Sequence, residues 1–165
     1  KAIEKLIAEG ISVNVKIAGP FEDKKVEKFV LNKLKKHRNI EYLGPIYKDD
    51  KKSFFNDINV LFFPTQYKNE AEPLTIHECF SYGIPVISLS RGCIPEIMSD
   101  FPHLCIADSS KFLIESFKII QKDFQSADSI QNLSRSVKLS FNSQKANAEK
   151  NLENLIQEII ACENV

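Results

Sequence analysis

Short β-rich runs alternate along the chain with stretches of helical periodicity, and three of those runs end in glycine or proline. This alternation constrains the fold more than any other feature, because strands separated by helices pack as a layered α/β domain around a parallel sheet. Ile11–Ala18 alternates apolar and polar residues up to Gly19-Pro20, and Ile40–Leu43 is closed by Gly44-Pro45. Asn59–Phe63, ended by Pro64, and Pro85–Leu89 are nearly continuous apolar runs, as expected of strands covered on both faces. Leu104–Ile106 reads as a last, short strand. Helices are expected at Ala2–Glu9, at Asp23–Lys36 with Phe29, Val30 and Leu34 as the apolar stripe, and at Asp49–Asn56 around Phe54 and Phe55. Pro73–Tyr82 follows, with proline in the first turn and Gly83 past the end, then a short helix at Pro95–Asp100. Beyond Ser109 the periodicity predicts three helices, Lys111–Phe124, Asp128–Ser140 and Ser143–Ala161, the last carrying Leu152, Leu155, Ile156 and Ile159 on one face.

A length of 165 residues suits one domain, 1–165, with 109–165 as its C-terminal helical part. Twenty-two basic residues balance twenty-two acidic ones, so no global field draws the chain to nucleic acid or anionic lipid. No apolar stretch approaches the length of a membrane span, and the start Lys1-Ala2-Ile3-Glu4 has no secretory character, which makes the cytoplasm the default compartment. Cys79, Cys93, Cys105 and Cys162 form no C-x-x-C pair and are expected to be buried, reduced thiols. His37, His77 and His103 lack ligand spacing, and there is no G-x-S-x-G elbow, which disfavours a zinc site or a hydrolase. Asp49-Asp50 reads as a helix cap. Without a Walker loop or G-x-G-x-x-G, ATPase and NAD-dependent chemistry lack their usual support.

Ligands of open α/β sheets bind at the carboxyl ends of the strands. Four segments lie there: Gly19-Pro20-Phe21, Gly44-Pro45-Ile46-Tyr47, Pro64–Leu74 and Ser90–Ile94. Pro64–Leu74 is the richest, because it sets Lys68, Glu70 and Glu72 just ahead of a helix N-terminus whose N–H groups and dipole favour an anion. Glu78 lies one turn along that helix, nearly opposite the face shared by Ile76, Phe80 and Gly83. On residue chemistry alone Glu70, Glu72 and Glu78 are equally ordinary acidic surface residues, and Lys68 a surface lysine.

Val60–Ile97 adds an ordered set of features: an apolar strand ending in proline, Glu70 and Glu78 with seven residues between them, a helix ending at Gly83, Gly83-Ile84-Pro85-Val86-Ile87, and a Gly-x-x-Pro-Glu turn. This set resembles the sugar-nucleotide-binding segment of family 4 glycosyltransferases, retaining enzymes built from two Rossmann domains. Upstream, Ile17-Ala18-Gly19 resembles the family's strand-end glycine and Ile40–Pro45 its V-x-F-x-G strand, so the resemblance covers about residues 1–108.

The resemblance implies a Rossmann-like three-layer α/β/α domain with a mostly parallel sheet, the donor-binding half of a hexosyltransferase-type enzyme. Such an enzyme moves a sugar from a nucleotide diphosphate to an acceptor hydroxyl with retention and commonly without an essential metal. By position Glu70 corresponds to the catalytic-site glutamate that orients the donor sugar, and Glu78 to the one that accepts hydrogen bonds from the ribose. An ionised carboxylate only accepts, which suits a vicinal diol. Ala71, Glu72, Pro73, Leu74 and Thr75 fall where the family holds sugar and diphosphate; Pro73 cannot donate, so Leu74 and Thr75 are the better phosphate candidates. Gly19 matches the strand-end glycine, and Gly44, Pro45, Ile46 and Tyr47 match the loop bordering the base.

Three departures accompany the resemblance. The first strand, with the arginine and lysine that neutralise the diphosphate, and the N-terminal acceptor domain have no counterpart here, so the chain is expected to be an inactive fragment of a longer enzyme. Arg91-Gly92-Cys93 stands for a usual glycine pair. Arg91 is therefore a candidate diphosphate cation, or a plain surface arginine. The intact enzyme would use a glycan or lipid-linked acceptor in polysaccharide, lipopolysaccharide or glycolipid synthesis, with no nucleic-acid partner and with peripheral association at the inner face of the plasma membrane as a further expectation. The rival reading is a non-catalytic Rossmann-like module that binds a nucleotide or a protein partner.

Overall fold

The computed structural model describes residue 6 and residues 8–35 and 37–163. The helix expected at Ala2–Glu9 lies mostly outside these residues; Leu6 and Ala8 are helical. The chain divides into two compact units, Lys1–Asp57 and Ile58–Val165.

The first unit runs β1 (Val15–Ala18), α1 (Lys24–Leu34), β2 (Ile40–Gly44) and α2 (Asp49–Asn56). The two strands are parallel, with Val15 opposite Ile40 and an irregularity between Ile17 and Ala18. The strand expected from Ile11 therefore begins at Val15, because its partner is only five residues long and the ladder can extend no further. Asp23 starts α1 by accepting the Lys25 N–H at 2.6 Å, satisfying one of the donors that a helix start leaves unpaired. The stripe assigned to α1 needs correction: Val30, Leu31 and Leu34 are half-buried, while Phe29 is 63% exposed with the Lys33 ammonium 5.9 Å from its ring centre. Phe29 is rotated about 100° from Val30, which takes it off the covered face. The cap at Asp49-Asp50 is corrected too. Neither makes a side-chain cap bond, and both lie in the first turn of α2, where negative charge opposes the helix dipole favourably.

The second unit runs β3 (Leu61–Phe63), α3 (Leu74–Ser81), β4 (Val86–Leu89), α4 (Ile94–Ile97), a 3₁₀ turn at Pro102–Leu104, β5 (Cys105–Ile106), α5 (Phe112–Asp123) and α6 (Ala127–Glu163). Its sheet has the order β3-β4-β5, parallel throughout. Flanked on both sides, β4 is buried at all four positions, as expected of its nearly continuous apolar sequence. Ile76, Cys79 and Phe80 of α3 are buried, and Phe80 meets Phe101 edge-on at 6.2 Å.

The C-terminal helices differ from expectation. Asp128–Ser140 and Ser143–Ala161 form one continuous helix of 37 residues, α6. The segment Ser140-Phe141-Asn142-Ser143 contains neither glycine nor proline, and each serine or asparagine costs a helix less than about 0.7 kcal/mol, too little to end it. Inside the seam the Ser140 hydroxyl donates to Asp100 at 2.5 Å. Gly83 decides how closely α3 approaches α6: a Cβ there would fall 2.9 Å from the Ser134 carbonyl oxygen. The Lys138 ammonium donates to the Ser81 carbonyl at the C-terminus of α3, where the helix dipole favours a cation. From residue 145 to 162 α6 is exposed at every position. No helix among the described residues is long and apolar enough to cross a membrane.

Candidate active site

In the second unit β3 and β4 end side by side and feed the loops 64–73 and 90–93. Ser88, fully buried in β4, donates its hydroxyl to the Phe63 carbonyl at 3.0 Å and so ties the two strand ends together. Glu70 joins the two loops. Its carbonyl oxygen accepts the Cys93 N–H at 2.8 Å, and its Oε1 accepts the Thr65 hydroxyl at 2.7 Å. Gly92 has φ +49°, and a Cβ there would lie 1.9 Å from the Glu70 carbonyl oxygen and 2.7 Å from its carbon. Only glycine lets the β4 loop come so near the β3 loop. Two pieces of the sequence pattern, the first glutamate and the Gly-x-x-Pro-Glu turn, are thus one physical object.

Pro73 is buried and stands as the N-cap of α3, while Leu74 and Thr75 are exposed and no side chain caps the helix. Ala71 and Glu72 are exposed, and Glu72 Oε1 lies 3.6 Å from His77 Nε2. Glu78 departs from the helical-wheel expectation that it would project into solvent, being half-buried. It is next to Cys79, whose thiol is pushed up to about 12, first by burial and then by the Glu78 charge. Arg91 is half-buried and donates to the Ser90 carbonyl at 3.1 Å, which places the cation in the loop that touches Glu70.

The remaining candidates belong to the first unit, where two strand ends meet in the same way. The Gly19 N–H donates to the Gly44 carbonyl at 2.9 Å, and the Tyr42 hydroxyl donates to the Gly19 carbonyl at 2.8 Å. Pro45 and Tyr47 are exposed, Ile46 is half-buried, and Lys48 after them holds φ +49°. The structure therefore brings Gly19 together with Gly44, and Glu70 with Gly92 and Cys93.

The sequence motifs do not single out Thr65, although a hydroxyl residue directly after a strand-ending proline is well placed to bond within its own loop. The cysteines also need correction: none is in a disulfide, but only Cys79 is buried, Cys105 is half-buried, and Cys93 and Cys162 are exposed. Among the described residues no three His, Cys, Asp or Glu side chains gather as a metal site would need.

The sequence pattern of the family described as glycosyl transferases group 1 matches residues 1–123. The chain belongs to that family. The match of this group 1 domain extends past residue 108, the limit of the motif resemblance, and takes in α5. No curated protein matches the chain. Among solved structures it is similar to a variant of the O-GlcNAc transferase of Thermobaculum terrenum, with a TM-score of 0.57 and 17% identity. The likeness covers 90% of this chain and 31% of that one, so this chain spans under a third of its structural relative. At that identity the likeness is one of fold: parallel sheets with helices, similar to one Rossmann-like half of a two-domain glycosyltransferase. For a group 1 domain, Glu70 and Glu78 fall within the matched residues, and α6 falls outside them.

Proposed function

We infer that this chain is the donor-binding part of a retaining glycosyltransferase of the family 4 type, which takes a hexosyl group from a nucleotide-diphosphate sugar to an acceptor hydroxyl. The observation that carries the reading is Glu70, held at the carboxyl end of β3 through both its backbone and its carboxylate, in a chain that belongs to the group 1 family. Glu70 would orient the sugar and Glu78 would accept from the ribose diol. The exposed N-terminus of α3 at Leu74 and Thr75 would take the diphosphate, its N–H groups and dipole stabilising the charge that builds on the leaving group. Arg91 would add a cation. The reading requires no metal. It extends to a parent enzyme acting on a glycan or lipid-linked acceptor at the cytoplasmic face of the membrane, in cell-surface polysaccharide or glycolipid synthesis, with the transfer step beyond this chain alone.

Calorimetric titration of the intact protein with UDP, GDP and ADP, then with UDP-glucose, UDP-N-acetylglucosamine, GDP-mannose and ADP-glucose, tests it. Saturable binding of one nucleotide is expected, weakened about tenfold or more by Glu78→Ala, since that change removes a charged acceptor from two hydroxyl donors. Folded protein that binds none of the seven would instead favour a non-catalytic module.

A further inference from the structure

We propose that Thr65 is a positioning residue for Glu70, fixing the carboxylate that the backbone contacts of Gly92 and Cys93 have already brought into place. The inference rests on Glu70 being the contact to the donor sugar.

Three contacts hold Glu70, and they are unlike in kind. The Cys93 N–H fixes its carbonyl at 2.8 Å, and the missing side chain of Gly92 lets that loop press against its backbone. Neither reaches the carboxylate, which is separated from the backbone by three rotatable bonds. Only the Thr65 hydroxyl, among the described contacts, does so, at 2.7 Å from Oε1. The direction of that bond is settled locally. Thr65 Oγ1 also accepts the Tyr67 N–H at 3.2 Å, so the backbone donates to the oxygen and the single hydroxyl proton is left for the carboxylate. Thr65 and Glu70 are both half-buried, so water competes less for this bond than it would on an open loop.

A bond to Oε1 leaves Oε2 as the second acceptor and sets its direction. A sugar hydroxyl that donates to a carboxylate needs that acceptor in one place; a glutamate free to rotate would lose side-chain entropy on every binding event. Support of a ligand-contacting group by a neighbouring hydrogen bond is the general means of avoiding that cost. Thr65 therefore acts on the sugar and not on the nucleotide, and this separates it from a residue that merely keeps the loop folded.

The experiment uses the intact protein, the nucleotide-sugar from the panel above that it binds most tightly, and the bare nucleoside diphosphate of that sugar. The ratio of the two dissociation constants measures the sugar's contribution. Thr65→Val is expected to reduce that contribution about tenfold with the affinity for the bare diphosphate unchanged, and Thr65→Ser to restore it, because serine keeps the hydroxyl. Thr65→Ala repeats the test should valine disturb the loop. Glu70→Gln is the reference. If it leaves the sugar's contribution intact, or if the wild type shows no such contribution, the reading of Glu70 falls and Thr65 with it. A loss in Glu70→Gln with none in Thr65→Val and Thr65→Ala overturns the role of Thr65 alone. Parallel weakening of diphosphate and conjugate, accompanied by a lower melting temperature, would make Thr65 structural and overturn the proposal as well.

Discussion

Cys79 is fully buried on α3, and its thiol holds its proton to about pH 12, where an exposed cysteine would lose it near 9.0. Between those values the unfolded chain binds fewer protons than the folded one, so stability must fall as pH rises. The contribution is complete below about pH 9 and is lost progressively toward 12. By pH 10 the loss is about 1 kcal/mol, since each pKa unit is worth about 1.4 kcal/mol. Urea denaturation at pH 7, 9 and 10 should show this decline, with a shallower slope in Cys79→Ala. Thiol reagents give a second reading: Cys93 and Cys162, being exposed, react in the native protein, whereas Cys79 reacts only on unfolding. A native Cys79 that reacts as fast as Cys93 would show that α3 opens readily. Apolar neighbours on a helical stretch were enough to expect burial at Cys79. They could not tell apart Cys93, which is exposed in the loop after β4.

The connection between two loops carries the site at the scale of elements. Gly92→Ala would place a Cβ 1.9 Å from the Glu70 oxygen at a positive φ, so the 90–93 loop must move and the Cys93-to-Glu70 hydrogen bond must break. The expected cost is about 1–3 kcal/mol in chemical denaturation, from backbone strain and a lost bond. The same variant should lose donor-sugar affinity; unchanged stability would mean that the loops are not coupled. Local chemistry located these elements well where a strong stop was present. Pro64, Gly83 and Gly44 each closed an element within a residue or two of its observed end. It failed where the stop was weak, at Ser140–Ser143, and where length depended on a partner, at Ile11–Asn14. A helix continues through polar residues unless something breaks its hydrogen bonds, and a strand ends where its neighbour ends.

For the molecule as a whole, the two units differ in how much they bury. In the first, among the described residues, only Leu6 and Phe55 are buried, α1 has no buried residue, and the sheet has two strands. In the second, β4 lies between two strands and is buried throughout. Two-stranded sheets are marginal by themselves, and local opening is governed by buried apolar contact. Hydrogen exchange should therefore find the amides of β1 and β2 at least about tenfold less protected than those of Val86–Leu89. Equal protection would show that the chain opens as one cooperative block.

The sequence by itself determined the α/β class, the parallel strands, most element boundaries, and the segment that holds Glu70 and Glu78, because periodicity and glycine or proline stops act within a few residues. Tertiary structure alone decided that Thr65 and Gly92 meet Glu70, that Phe29 faces outward, that Glu78 is half-buried, and that α6 is unbroken. Those outcomes depend on which surfaces come within a few ångströms of one another, and no local pattern encodes that distance.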